Sequence, residues 1–119
     1  MHYKKYEIEG TDAVSDITRF VKCYYLRAYE SNFPNGFIWV YEDYSFLNGS
    51  DLMVCIRVDI SNAAENKILV EFIAGGGGSG LFFKLNSGGE SRRVKKFTND
   101  LIAFCNERSL KLSVIEQTT

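Results

Sequence analysis

The chain has 119 residues, 45% of them hydrophobic and 24% charged, with a formal net charge of −1. That size and balance predict one globular domain, residues 1–119, able to bury a core without disulfide staples, and lack the basic excess expected of a nucleic-acid binder. No apolar run approaches the roughly 18 residues of a membrane span, and no apolar signal core follows the N-terminal lysines, so the expectation is a cytoplasmic protein with no membrane partner.

Residues 3–9 (YKKYEIE) alternate weakly and predict a first strand. From Thr11 the period changes. Val14, Ile17, Val21, Tyr24 and Ala28 recur at three and four residues, which predicts a helix capped by Thr11 or Asp12 and ending near Tyr29 to Asn32, ahead of Pro34 and Gly36. Phe37 to Tyr41 (FIWVY) follows as a short apolar strand, and Asn48-Gly49 signals a turn. Asp51 to Ile60 is the clearest strand, with Leu52, Val54, Ile56, Val58 and Ile60 on one face. Residues 61–66 make a turn, and Lys67 to Ala74 alternates again, with Ile68, Val70, Phe72 and Ala74 on one face.

The next stretch is Gly75, Gly76, Gly77, Gly78, Ser79 and Gly80. Glycine reaches positive φ at no steric cost, so such a run suits a hairpin or a close backbone approach to a partner. The run Leu81 to Leu85 is expected to be a strand, which makes the glycines a hinge between two core strands. Ser87-Gly88-Gly89-Glu90 has the capping-box pattern and predicts the start of a second helix, with Val94, Phe97, Leu101, Phe104 and Cys105 as its apolar stripe and its end near Arg108 or Ser109. Residues 110–115 (LKLSVI) predict the last strand.

The predicted order is β-α-β-β-β-β-α-β. Helices with one apolar stripe and strands with one strongly apolar face require an α+β two-layer sandwich, a mainly antiparallel sheet with both helices on one face. This arrangement is similar to TATA-binding-protein-like and helix-grip folds. The segment IAGGGGSG at 73–80, followed by an amphipathic helix with the late pair Phe104-Cys105, resembles small uncharacterised bacterial domains; the resemblance implies a domain of unknown function and nothing more.

Candidate chemistry is sparse. The one histidine, His2, sits beside the terminus, where a disordered side chain is expected, so neither a histidine-based triad nor a multi-histidine metal site can readily be built. Cys23, Cys55 and Cys105 lack C-x-x-C spacing and each lies in an apolar run, as buried free thiols in a reducing compartment do. Glu42 and Asp43 beside a turn read as solvated surface. The glycine run, followed by LFFKL and lacking GK[ST], does not match a phosphate-binding loop. Neither a cofactor nor a metal nor an enzymatic activity is indicated.

Three binding readings stay open. The basic start of the second helix places cations where the macrodipole disfavours them, and Ser87, Gly88, Gly89, Arg92, Arg93 and Lys96 are the candidate anion or nucleic-acid site, with a solvated basic face as the simpler account. A strand of five residues would put this site about 16 Å from the glycine run, at roughly 3.3 Å per residue. The outer sheet face, with Met53, Leu69, Ile73 and Phe82 beside Cys55 and either Ile38 and Val40 or Phe37 and Trp39, is too apolar for water. It predicts a homodimer or another protein partner. The acids of residues 28–56 and the bases of residues 84–96 could meet within the fold or between subunits. Last, Tyr24, Tyr25, Trp39, Tyr41 and Phe83 could line a cavity for a small ligand between helix and sheet. A self-associating, non-enzymatic binding domain is the leading expectation.

Overall fold

The computed structural model describes residues 1–45, 50–76 and 83–118. Among the described residues there are six strands: β1 (His2–Glu9), β2 (Tyr29–Phe33), β3 (Gly36–Ser45), β4 (Ser50–Asp59), β5 (Lys67–Gly75) and β6 (Lys111–Gln117). Helix α1 (Ala13–Lys22) joins β1 to β2, and α2 (Phe83–Glu107) joins β5 to β6. A single helical turn, Ala63–Glu65, sits between β4 and β5. The strands form one sheet in the order β2-β3-β4-β5-β1-β6, and every pairing in it is antiparallel. The fold is α+β, a sheet packed against two helices, as the sequence predicts.

Register explains why one face is apolar. Side chains alternate along a strand, so residues paired across the ladder share a face. Tyr6 pairs with Val70, Val70 with Val58, and Val58 with Phe37. The parallel row runs Phe72, Ile56, Trp39. All seven are buried. Both helices cover this side, and Phe20 of α1 meets Phe97 and Phe104 of α2 at centroid distances of 5.9 and 4.9 Å. Phe97 is the hub of the core, with the rings of Phe72, Tyr24 and Tyr6 at 4.3, 5.1 and 5.9 Å. The buried Tyr6 hydroxyl pairs with Thr98 Oγ1 at 2.5 Å, and Thr98 donates on to the Val94 carbonyl, so this polar intrusion into the core is satisfied.

Several expectations need correction. Helix α1 stops at Lys22, with Cys23 as its C-cap, well before Tyr29. Tyr24 and Ala28 still pack on the core, but from an irregular segment that turns Tyr24 onto Phe97 and stacks Tyr25 on Tyr41. Neighbours on a helix point about 100° apart and tyrosine is a modest helix former, so tertiary contact wins over the helical period. The freed chain then forms β2, which the sequence does not announce. Asp12 does occupy the N-cap, although its side chain makes no capping bond.

The larger correction concerns the strand expected at 81–85. Phe83 already belongs to α2, so the element order survives with a different strand supplying one of its members. A short apolar run of this kind fits a strand or a helix equally well by periodicity alone. Ser87, Gly88 and Gly89 consequently lie within α2 and not at its start. Gly89 is buried where an added Cβ would stand 3.4 Å from Leu52 Cδ1, which lets α2 approach β4 closely. Gly75 closes β5 and Gly76 has φ +80. Gly77, Gly78, Ser79 and Gly80, together with Leu81, Phe82 and the Asn48-Gly49 turn, lie outside the described residues.

One end of the sheet gathers several chain segments. Ser45 pairs with Ser50, Met53 with Gly75, and His2 with Ala74. The end of β3, the start of β4, the exit of β5 and the start of β1 therefore share that end. Helix α2 begins at Phe83, eight residues after Gly75, so the five-residue strand from which the 16 Å spacing follows is not formed.

Candidate functional site: an aromatic and cationic cleft

A cleft of about 380 Å³ opens between the first half of α2, the inner face of β3 and β5, and the segment leaving α1. Tyr24, Tyr25, Tyr41 and Phe72 form its aromatic walls, and Asp43, Arg93 and Lys96 supply its charges. Each arrives there for a local reason. Tyr41 and Asp43 are alternate residues of β3 and so project to the same side. Arg93, Lys96 and Asp100 fall at spacings of three and four on α2, one face of the helix. Tyr24 and Tyr25 reach the cleft because α1 ends early.

The walls are fixed by contact. The Tyr25 and Tyr41 rings stack with centroids 4.2 Å apart and planes 10° from parallel. The Tyr24 hydroxyl donates to Asp100 Oδ2 at 2.8 Å, and Lys96 Nζ donates to the same oxygen at 2.9 Å. On the opposite side Arg93 Nε donates to Asp43 Oδ2 at 2.5 Å. The side chains of that pair are 28% and 29% exposed, enough shelter to strengthen the pairing over a fully solvated one.

Titration follows from these neighbours. Burial raises the Tyr24 phenol well above its ordinary value, and donating its hydrogen bond to the Asp100 carboxylate adds to the rise. Tyr41 is also raised, by burial and then by Asp43, with Arg93 opposing. Burial works to raise Asp100, yet the hydrogen bonds from Lys96 and Tyr24 outweigh it and hold its pKa below the ordinary carboxylate value. Both phenols are therefore neutral donors at physiological pH and Asp100 is ionised. Such a cleft can bind, orient and desolvate a ligand; its described lining contains no thiol, imidazole or aliphatic hydroxyl to act as a nucleophile.

The residues singled out by sequence divide here. Arg93 and Lys96 are brought together at the cleft, while Arg92 is exposed. Ser87 and Gly88 are helical, so the N-terminal anion site expected of Ser87 to Gly89 is not formed as drawn. Tyr24, Tyr25 and Tyr41 line the cleft as the ligand reading requires; Trp39 does not, being buried in the core, and the Phe83 side chain lies outside the described residues. Asp43 is no solvated turn residue but the partner of Arg93, so one acid of residues 28–56 meets one base of the second helix within the fold. Asp100 and Phe72 escaped notice. The sequence signal for Asp100 is its spacing from Arg93 and Lys96, which looks like any exposed helix face, and that for Phe72 is the alternation of β5, which marks core and not a site.

Outside the cleft, the outer sheet face carries Ile38, Val40, Cys55, Leu69 and Ile73 half-buried, and Met53 at 54% and Tyr29 at 63% exposure. Phe37 and Trp39 point inward, which settles the alternation of β3, and Phe82 lies outside the described residues. Charged neighbours on this face pair among themselves, Arg57 with Asp59 and Glu71, and Lys5 with Glu71. His2 is held in β1 and its Nδ1 lies 3.2 Å from the buried Glu90, so it is not a loose terminal side chain. The three cysteines are free, but Cys23 is exposed and Cys55 half-buried; only Cys105 meets the expectation of full burial. Among the described residues no cluster of three or more His, Cys, Asp and Glu could hold a metal, and no helix is long and apolar enough to cross a membrane.

Comparison with known proteins gives no match among curated proteins or solved structures. A family model, described as a family of unknown function, matches residues 19–105, a span containing every residue of the cleft. The match covers well over half of the chain, and the protein accordingly belongs to the family of unknown function DUF6054.

Proposed function

We propose that this protein is a non-enzymatic binding domain that takes a small ligand in the aromatic and cationic cleft. The observation that supports this reading most is the meeting of four aromatic side chains with Arg93 and Lys96 around a space of about 380 Å³. Ligand sites are typically apolar concavities of roughly 300–1,000 Å³ with a few placed polar groups, and the cleft has that make-up. The three free cysteines of the chain suit a reducing, cytoplasmic setting. A fragment screen observed by protein NMR tests it. Hits should shift the amide signals of Arg93 and Lys96 and the ring signals of Tyr25 and Tyr41 together, and Tyr25→Ala should weaken them. Hits confined to other surfaces would contradict the reading.

The outer face supports a second reading, self-association through Met53, Leu69 and Ile73. A sheet face with this much exposed apolar surface is commonly an interface. Sedimentation of the wild type should show a dimer that Ile73→Glu converts to monomer. A wild-type monomer at high micromolar concentration would remove this reading and leave the cleft untouched.

A further inference from the structure

We propose that the ligand of the cleft is a planar aromatic acid, its ring against the wall formed by Tyr25 and Tyr41 and its carboxylate on Arg93; this rests on the cleft being a binding site. Size comes first. About 380 Å³ lies near the lower end of the range for small-ligand sites, room for one or two rings and not for a long acyl chain or a polymer segment. Shape comes next. Tyr25 and Tyr41, stacked on each other, both line the cleft, and aromatic ligands gain from offset or edge contact with such rings beyond the area they bury.

Charge then selects among flat molecules. Aromatic walls also suit organic cations. Here, however, the same cleft holds Arg93 and Lys96, and the neighbouring carboxylates are already engaged, Asp43 by Arg93 and Asp100 by Lys96 and Tyr24. A cation would meet two positive charges, and among the described lining residues no unengaged carboxylate to receive it.

An acid finds the opposite. Asp43 occupies the Nε side of the Arg93 guanidinium, and the two terminal amino groups make no hydrogen bond among the described residues. The guanidinium is planar and its donors form a rigid fork, so a partner on one edge fixes the direction of the other. Asp43 is thus a positioning residue that aims the remaining fork, and a carboxylate is the group whose two oxygens match it. Lys96, 67% exposed, adds attractive charge at the mouth.

The test compares 2-naphthoate with its neutral analogue 2-naphthalenemethanol by calorimetry on the full chain. Wild type should bind the acid at least about 10-fold more tightly than the alcohol, since hydrogen bonds to charged groups contribute more than neutral ones. Arg93→Gln should lower the affinity for the acid by about 10- to 100-fold and that for the alcohol by much less. Arg93→Lys, which keeps the charge and guards against a folding defect, should fall between the two because it loses the fork. Equal binding of acid and alcohol, or an unaltered acid affinity in Arg93→Gln, overturns the ligand class and leaves the cleft standing as a site. Binding of neither compound also overturns the ligand class, while the cleft itself stands or falls by the fragment screen.

Discussion

Asp43 and Arg93, 50 residues apart in the chain, meet through a hydrogen bond of 2.5 Å that ties the far end of β3 to the first half of α2. Both side chains are more than two-thirds covered, so the bond both holds α2 over the sheet and orients the cationic wall of the cleft.

Replacing Asp43 by Asn keeps the shape of that contact and removes its charge. The expected cost is about 1 kcal/mol, at the upper end for a partly exposed pair, and it should shrink as salt is added. Urea denaturation at low and high ionic strength measures it; a loss that does not depend on salt would show that packing, not charge, is at stake.

Phe97 touches Phe72, Tyr24, Tyr6 and Phe20, so it joins both helices to the sheet. Phe97→Ala should destabilise by about 3–5 kcal/mol, whereas Phe97→Leu, which fills most of the space, should cost much less. Comparable midpoints for the two variants in denaturant would contradict the placing of this ring at the centre of the core.

Burial raises the Tyr6 phenol from 10.0 to about 12, with its bond to Thr98 opposing. The folded state therefore keeps its proton while the unfolded chain has begun to release it. The stability contribution is complete below about pH 10 and is lost as the pH rises from about 10 to about 12, with a slope of at most about 1.4 kcal/mol per unit from this group. Tyr24 and Tyr41 are raised too and act in the same direction. Tyr6→Phe should flatten the alkaline fall without abolishing it, and an unchanged pH profile would contradict the burial of this hydroxyl.

Thiol reactivity reads the three cysteines separately. Cys23 is exposed, Cys55 is half-buried with burial raising its pKa, and Cys105 is buried and raised to about 11. A thiolate-selective reagent should label Cys23 first, Cys55 more slowly, and Cys105 only on unfolding. Fast labelling of Cys105 in the native protein would mean that α2 opens readily.

The inner faces of β4 and β5 could be read from sequence because strict alternation over eight or more residues admits one pairing geometry and one buried side. The later stripe of α2 was equally plain in Phe97, Leu101 and Cys105. What escaped was decided by contacts distant in sequence. Tyr24 and Tyr25 continue a helical period, and only the rings of Phe97 and Tyr41 pull them off it. The run LFFKL suits a strand locally, and α2 claims its last three residues. The cleft was half legible: its tyrosines and its two cations were suspected separately, but Asp43 and Asp100, which fix the cations, are ordinary surface acids until the fold sets them opposite Arg93 and Lys96.

A ligand held in the cleft would lie between its aromatic and cationic walls. Intermolecular NOEs recorded with 2-naphthoate test it most directly, because they report place as well as binding. Contacts from the naphthyl protons to the Tyr25 and Tyr41 rings, accompanied by a shift of the Arg93 Nε–H signal, are the predicted result. Contacts that fall on Met53, Leu69 and Ile73 of the outer face instead, with the tyrosine rings undisturbed, would contradict it.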